Sequence, residues 1–190
     1  AAMDRIVTDR TTPVDLAEVT GGVHSGHCWV GCVVSTGYDA VVNRRTNQMT
    51  TKFGPLSYGW VALSALAEFS PKHYRISVDG HDRELDAMLI AVGNGGHFGG
   101  GMRICPYASV VDGLLDITII HTVPRRTLLR CLPFLYAGRF THLGFVETLR
   151  ARRVDVDGED MFAMADGEAI GDVPLSVVVR PSAVNLVGLP

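Results

Sequence analysis

Two acidic residues near the C-terminal end of the chain have the type and spacing that general-base chemistry requires. Asp166 and Glu168 lie two positions apart in the segment MFAMADGEAIGDVP, so on a strand both side chains would point to the same side of the sheet. A carboxylate beside an apolar pocket can take the proton of a substrate hydroxyl. The same residues also suit an ordinary turn, because Asp-Gly tolerates positive φ.

A glycine-rich segment, AVGNGGHFGGGMRICP at residues 91–106, is the second candidate. Such a segment can expose backbone N–H groups to an anion or let another group approach closely, and Asn94, Gly99 and Gly100 are the candidate substrate-binding positions. The segment lacks the Gly-Lys-Ser/Thr of a Walker loop and the following helix of a dinucleotide site. An irregular connection between strands is the alternative.

A third candidate is Asp112 in PYASVVDGLLDITI. A divalent cation could bind its carboxylate together with nearby backbone carbonyls, although the spacing equally suits a hairpin turn. The cluster His24, His27 and Cys28 lacks zinc-site spacing and predicts a polar loop.

The composition limits the class of protein. The 190 residues carry 17 Lys+Arg against 20 Asp+Glu, a net charge of -3, which excludes a dedicated nucleic-acid binder. The chain is 47% hydrophobic and only 19% charged, so a folded domain with a substantial core is expected. It contains no long apolar run, and its four cysteines show no disulfide spacing. A cytoplasmic domain is therefore expected.

The elements that must position these residues are mostly strands. Four Asp-Gly pairs lie between apolar runs and predict hairpins; they begin at Asp79, Asp112, Asp157 and Asp166. The last segment predicts two strands around a turn at Pro181. Helical spacing predicts one helix near residues 56–70 and another at 124–137, which Gly138 ends and Pro133 kinks or shortens.

We therefore predict a mainly β fold, an antiparallel β-sandwich with two helices. Residues 14–190 form the predicted domain. Residues 1–13 are interpreted as the remnant of a connecting segment.

Taken in order, several segments resemble the C-terminal half of the diacylglycerol kinase catalytic-domain family, whose distant relatives include sphingosine and ceramide kinases. The resemblance covers roughly residues 14–188. It rests on VDLAEV, STGYDAVVN, NGGHFGGGMRICPYASVVDGLLDITII, FAMADGE and PLSVVVRPSAVNLV.

The resemblance implies an enzyme that transfers the γ-phosphate of ATP to a lipid hydroxyl, with diacylglycerol as the expected substrate. It implies that the general base is Asp166 or Glu168, and that Asp39 lies near the lipid head group. It also implies a Mg²⁺ site, formed by the Asp112 side chain and the backbone carbonyls of Ser109 and Leu114.

The family's nucleotide loop, Gly-Gly-Asp-Gly-Thr, does not occur in this sequence. The resemblance therefore implies that a missing N-terminal lobe holds most of the ATP, and that the chain alone is inactive. The lipid would be met at a membrane surface, where Arg125, Arg126 and Arg130 face anionic lipid or are simply solvated. Two other interpretations remain open: a non-catalytic module that binds lipid or a partner, and a fragment that self-associates through an uncovered sandwich face.

Overall fold

The computed structural model describes residues 11–24, 26–38, 40–41, 70–97 and 101–187. The strands and the helix with described bounds are β1 Thr11–Val23, β2 His27–Val30, β3 Val33–Gly37, β4 Lys72–Val78, β5 His81–Gly93, β6 Leu115–His121, α1 Arg125–Ala137, β7 Val146–Ala151, β8 Arg153–Gly158, β9 Phe162–Ala165 and β10 Glu168–Val187.

The strands form one antiparallel sheet system that closes on itself. Strands β10, β8, β4, β5, β3 and β9 pair in that order, and β9 pairs again with β10. Strands β1 and β2 extend the sheet from β10, and β6 and β7 extend it from β5. Strands β5 and β10 make closure possible, because each pairs with more than one strand along its length. The predicted mainly β, antiparallel class is confirmed as a closed, sandwich-like sheet.

The second half of β5, residues 87–93, is buried on both faces and separates two apolar clusters. Ile90 and Val92 belong to the larger cluster, which fills the space inside the sheet system. Leu89 and Ala91 belong to a second cluster, which includes Leu128 of α1. A strand buried on both faces appears in the sequence as a continuous apolar run, and AMLIAV at residues 87–92 has that character.

Two of the four predicted Asp-Gly hairpins are confirmed. Asp79-Gly80 joins β4 to β5, and Asp166-Gly167 joins β9 to β10. Both aspartates have positive φ, 48° in each case, as two-residue hairpin turns require.

The other two hairpin predictions are wrong. Residues 109–111, which precede Asp112, form no strand, and residues 110 and 111 lie in a turn. Strand β8, which contains Asp157-Gly158, pairs with β10 and β4 and not with the next strand, β9. An Asp-Gly pair predicts only a local turn. The strand that contains Asp157 pairs instead with strands that are distant in sequence.

The predicted turn at Pro181 is also wrong in part. Strand β10 continues through this position to Val187, and the irregularity is a local shift of register against β1 between Val14 and Leu16. Ser182 lies at this shift of register and has a φ of 53°. A bulge of this kind bends a strand without ending it.

The helix predicted at 124–137 is confirmed as α1. The carbonyl of Pro124 accepts the N–H of Thr127. At the other end Gly138 has a φ of 64°, and Arg139 donates its N–H to the carbonyl of Phe134, which is the geometry of a glycine-terminated helix. Pro133 lies inside the helix without ending it. The helix predicted near residues 56–70 lies outside the described residues, apart from Ser70.

Three side chains link the neighbouring strands β5, β6 and β7. Arg83 donates two hydrogen bonds of 2.7 Å to the carboxylate of Glu147. His121 Nε2 lies 3.0 Å from Glu147 Oε2. The hydrogen bonds from Arg83, together with the contact to His121, lower the pKa of Glu147. The ionised form of Glu147 therefore stabilises the fold.

The stability contributed by Glu147 should depend on pH. Because its pKa is lower in the folded chain than the ordinary value of 4.5, its contribution is fully present above about pH 4.5 and is lost as the pH falls through the folded-state pKa. Urea unfolding of the wild type and Glu147→Gln should give a constant difference in stability at pH 6–8 that shrinks below about pH 4.5. Glu159→Gln, at an exposed turn, is the control. A difference that persists at pH 3 would contradict the expectation.

Candidate functional site

Residues 31 and 32 form a break between strands β2 and β3, and the Asp166 carboxylate binds the backbone there. Its Oδ2 accepts the N–H of Gly31 at 2.8 Å, and its Oδ1 accepts the N–H groups of Cys32 and Val33, both at 3.0 Å. The apolar run CWVGCVVS divides here, because β2 pairs with β1 while β3 pairs with β5 and β9. The carboxylate thus satisfies backbone donors at a point where the chain changes partners.

The carbonyl groups of the same break are satisfied from the opposite side, by the end of β5. Cys32 O accepts the N–H groups of Asn94 and Gly95, both at 2.8 Å. The Asn94 side-chain amide donates to Gly31 O and to Asp15 O, both at 2.9 Å. Asn94 is only 1% exposed, and its Oδ1 accepts no hydrogen bond from the described residues. Its side chain therefore links three segments inside the protein.

The first glycines of the glycine-rich segment allow close packing against Cys105. A Cβ on Gly93 would lie 2.8 Å from the Cys105 sulfur and 2.7 Å from Gly95 O. A Cβ on Gly96 would lie 2.9 Å from Cys105 O. Burial raises the pKa of the Cys105 thiol to about 12, so the thiol stays protonated and unreactive. Gly93 and Gly96 thus lie in tightly packed backbone.

Three predicted substrate-binding residues, Asp39, Gly99 and Gly100, lie outside the described residues. Their places in the site stay predictions.

Asp166 and Glu168 are not two alternate residues of one strand. Asp166 belongs to the turn, with a φ of 48°, whereas Glu168 begins β10 opposite Ala165. The rule that residues two apart share a face holds only for extended backbone, so it does not apply across this turn. Both residues are exposed, and Asp166 is the one whose carboxylate is fixed by the backbone hydrogen bonds described above.

The geometry of Asp166 leaves it able to accept one further hydrogen bond. An ionised carboxylate offers about four acceptor directions, and three are taken by backbone N–H groups. Oδ2 carries one of these bonds and Oδ1 carries two, so the open direction is on Oδ2. An oriented, exposed carboxylate oxygen is suited to accept a hydroxyl proton.

The predicted magnesium ligand Asp112 has other partners. Its Oδ1 accepts the N–H of Leu114 at 3.1 Å, and its Oδ2 is paired with the guanidinium of Arg150. Arg150 also reaches Asp116, with 3.3 Å between Nε and Oδ2. Within the described ranges, no three His, Cys, Asp or Glu side chains cluster as metal ligands. The residues around Ser109, Asp112 and Leu114 therefore do not fit a divalent cation as they stand.

Asp15 is an important residue that sequence reasoning did not single out. It is 3% exposed, its Oδ2 accepts the N–H of Gly113 at 2.7 Å, and its Oδ1 accepts the N–H of Ser182 at 2.9 Å. The only signal was an acidic residue inside the β-like run VDLAEV. Asp15 ties the Asp112 loop and the bulge of β10 to β1.

A separate cleft of about 760 Å³ lies over strands β4, β8 and β10. Its lining includes Arg75, Ser77, Asp155, Asp157 and Ser176. None of the candidate site residues that the structure describes lines it. The cleft is therefore distinct from the site around Asp166.

Replacing Asn94 should destabilise the fold. Asn94→Ala removes the amide that bridges two buried carbonyls, and leaving such acceptors without a donor costs about 2–4 kcal/mol. Denaturant unfolding should show this loss. Asn185→Ala, at an exposed position of β10, should change stability by no more than about 0.5 kcal/mol. Equal stability of the two variants would show that the Asn94 bridge contributes nothing.

Comparison with known proteins finds relatives along nearly the whole chain. Residues 32–188 match the model of the YegS C-terminal NAD kinase beta sandwich-like domain. A protein of Mycobacterium tuberculosis named diacylglycerol kinase is 34% identical over 189 residues, which is 98% of this chain and 60% of the relative. The chain thus spans about 60% of the length of that curated relative.

Solved structures show the same fold. A crystal structure from Bacillus anthracis named a diacylglycerol kinase superposes with a TM-score of 0.66 at 17% identity, covering 98% of this chain and 57% of that one. A second crystal structure from that organism, titled as a candidate diacylglycerol kinase, gives a TM-score of 0.72 at 20% identity, covering 98% and 59%. With the family-model match over residues 32–188, the chain belongs to the YegS C-terminal NAD kinase beta sandwich-like domain family.

Proposed function

We propose that this chain is the lipid-binding, base-supplying lobe of an ATP-dependent lipid kinase, and that its substrate is diacylglycerol. The Mycobacterium tuberculosis relative named diacylglycerol kinase supports this choice, because the similarity extends over 98% of the chain. The product would be phosphatidic acid. ATP would be held mainly by a segment that this chain does not contain.

The observation that carries the proposal is the orientation of Asp166. Three backbone N–H groups fix its carboxylate, and one acceptor direction on Oδ2 stays open. A general base must lie within about 3 Å of the proton that it takes, and a fixed carboxylate meets that demand better than a freely rotating one. Asp166 is therefore assigned as the base, in preference to Glu168.

The proposed reaction transfers one phosphoryl group and one proton. The lipid hydroxyl oxygen forms a bond to the γ-phosphorus of ATP as the bond between that phosphorus and the oxygen of ADP breaks. The hydroxyl proton passes to Oδ2 of Asp166. Most of the barrier to phosphoryl transfer is lowered by positioning and charge stabilisation, so the nucleotide and its Mg²⁺ act as a substrate that another segment presents.

The lipid substrate requires contact with a membrane surface. In the part of the chain that the structure describes, no helix has the length and apolar character needed to cross a bilayer. Arg125, Arg126 and Arg130 are exposed on α1. They would place positive charge toward anionic lipid, which is worth about 1 kcal/mol per residue near the surface.

A non-catalytic lipid-binding module is the second candidate, and one observation favours it. The three hydrogen bonds that orient Asp166 are also those that a purely structural carboxylate would make. Kinetics separate the two functions, because only a base contributes to the chemical step.

Asp166→Asn should lower kcat by about 10² to 10⁴-fold with little change in KM for the lipid. The assay measures phosphatidic acid formed from diacylglycerol and Mg-ATP, in the longest natural polypeptide that contains this chain. Glu168→Gln should keep kcat within about tenfold of the wild type, because none of the hydrogen bonds among the described residues fixes the orientation of its carboxylate. Asp172→Asn, at another exposed acidic position of β10, is the matched control.

The melting temperature of each variant shows whether a loss of rate is a loss of fold. A folded Asp166→Asn variant with the kcat of the wild type would refute the assignment of the base. A large fall in kcat for Glu168→Gln alone would transfer the role to Glu168.

The 190-residue chain by itself should not phosphorylate diacylglycerol, because the sequence contains no nucleotide loop of the kind described above. Labelled ATP and chromatography of the lipid products test this directly. Turnover above the background of a heat-denatured sample would show that the chain holds the nucleotide without another segment.

A further inference from the structure

Arg150 lies at the loop that the family resemblance assigns to magnesium. Its guanidinium pairs with Asp112 Oδ2 through Nη2, and its Nε lies 3.3 Å from Asp116 Oδ2. The loop thus contains two carboxylates and one cation, and that cation is a side chain of the protein itself.

The position of Arg150 is fixed by strand pairing. Arg150 in β7 lies directly opposite Asp116 in β6, and residues opposite each other in an antiparallel pair have neighbouring side chains. The side chain of Asp116 is only 9% exposed, so its charge needs a nearby partner. Arg150 supplies that partner and also reaches Asp112 in the loop before β6.

The rest of the loop is anchored without a metal as well. The buried Asp15 accepts the N–H of Gly113 and donates its own N–H to Val110 O at 2.7 Å. Asp112 Oδ1 accepts the N–H of Leu114. A loop cation would neutralise the carboxylates and cross-link the backbone, and Arg150 and Asp15 between them already perform both tasks.

A magnesium ion would compete directly with this arrangement. Mg²⁺ requires oxygen ligands at about 2.1 Å in near-octahedral geometry, and a guanidinium in contact with the same carboxylate would repel it. The cation and Arg150 therefore exclude each other at Asp112.

We propose that Arg150 takes the place of a loop cation, so that residues 109–116 keep their structure without Mg²⁺ and do not bind it. This proposal is independent of the kinase function, since it concerns the folded chain and not its turnover.

The test measures metal binding and thermal stability of the chain. The wild-type melting temperature should be the same in EDTA and in MgCl2 when NaCl matches the ionic strength. Mn²⁺, which electron paramagnetic resonance detects directly, should show no saturable binding that Asp112→Asn removes. Saturable Mn²⁺ binding to the wild type that is lost in Asp112→Asn would overturn the proposal, and this measurement needs no destabilised variant.

Arg150→Gln tests the replacement itself. The variant should melt about 5 °C lower, because the buried Asp116 carboxylate loses its partner, and Mg²⁺ should now raise its melting temperature in a saturable way. Adding Asp112→Asn should abolish that rise. Arg152→Gln, at an exposed arginine next to the start of β8, should change neither property. An Arg150→Gln variant that stays indifferent to Mg²⁺ would also overturn the proposal.

Discussion

The break between β2 and β3 is the constraint on which the site depends. At Gly31 the chain leaves one neighbour for another, so its backbone polar groups lose their ladder partners and must be satisfied elsewhere. The carboxylate of Asp166 takes the N–H groups, and the end of β5, with the Asn94 amide, donates to the carbonyls. The proposed base is therefore positioned by the same hydrogen bonds that hold the sheet together.

The backbone hydrogen bonds also fix the orientation of the Asp166 carboxylate. A carboxylate that hydrogen-bonds to backbone N–H groups is oriented as firmly as the backbone itself, and charge-assisted bonds of this kind are among the stronger ones in proteins. The turn that carries Asp166 is a two-residue hairpin, so it has little freedom to move. Orientation of the proposed base thus needs no second layer of side chains, because the backbone of the sheet supplies it.

A second carboxylate, near the start of β1, also binds backbone N–H groups. Asp15 is buried, and its carboxylate receives backbone N–H groups from two distant segments. Beside it, Arg150 balances the carboxylates of Asp112 and Asp116. The family relationship identifies the fold, while these contacts show how this chain neutralises the charged side chains of its own loops.

Local sequence signals predicted the features that depend on neighbouring residues. Asp79-Gly80 and Asp166-Gly167 predicted hairpins correctly because the strands on either side pair with each other, and Pro124 and Gly138 marked the ends of α1. The pairing of distant strands and the partners of Asp166 depend on the tertiary structure. Strands β8 and β9 pair with other strands, so the turn signal at Asp157 was misleading, and Asp166 meets Gly31 across 135 residues of chain. Contacts of that separation leave no periodicity or spacing in the sequence, because only the closure of the sheet brings their partners together.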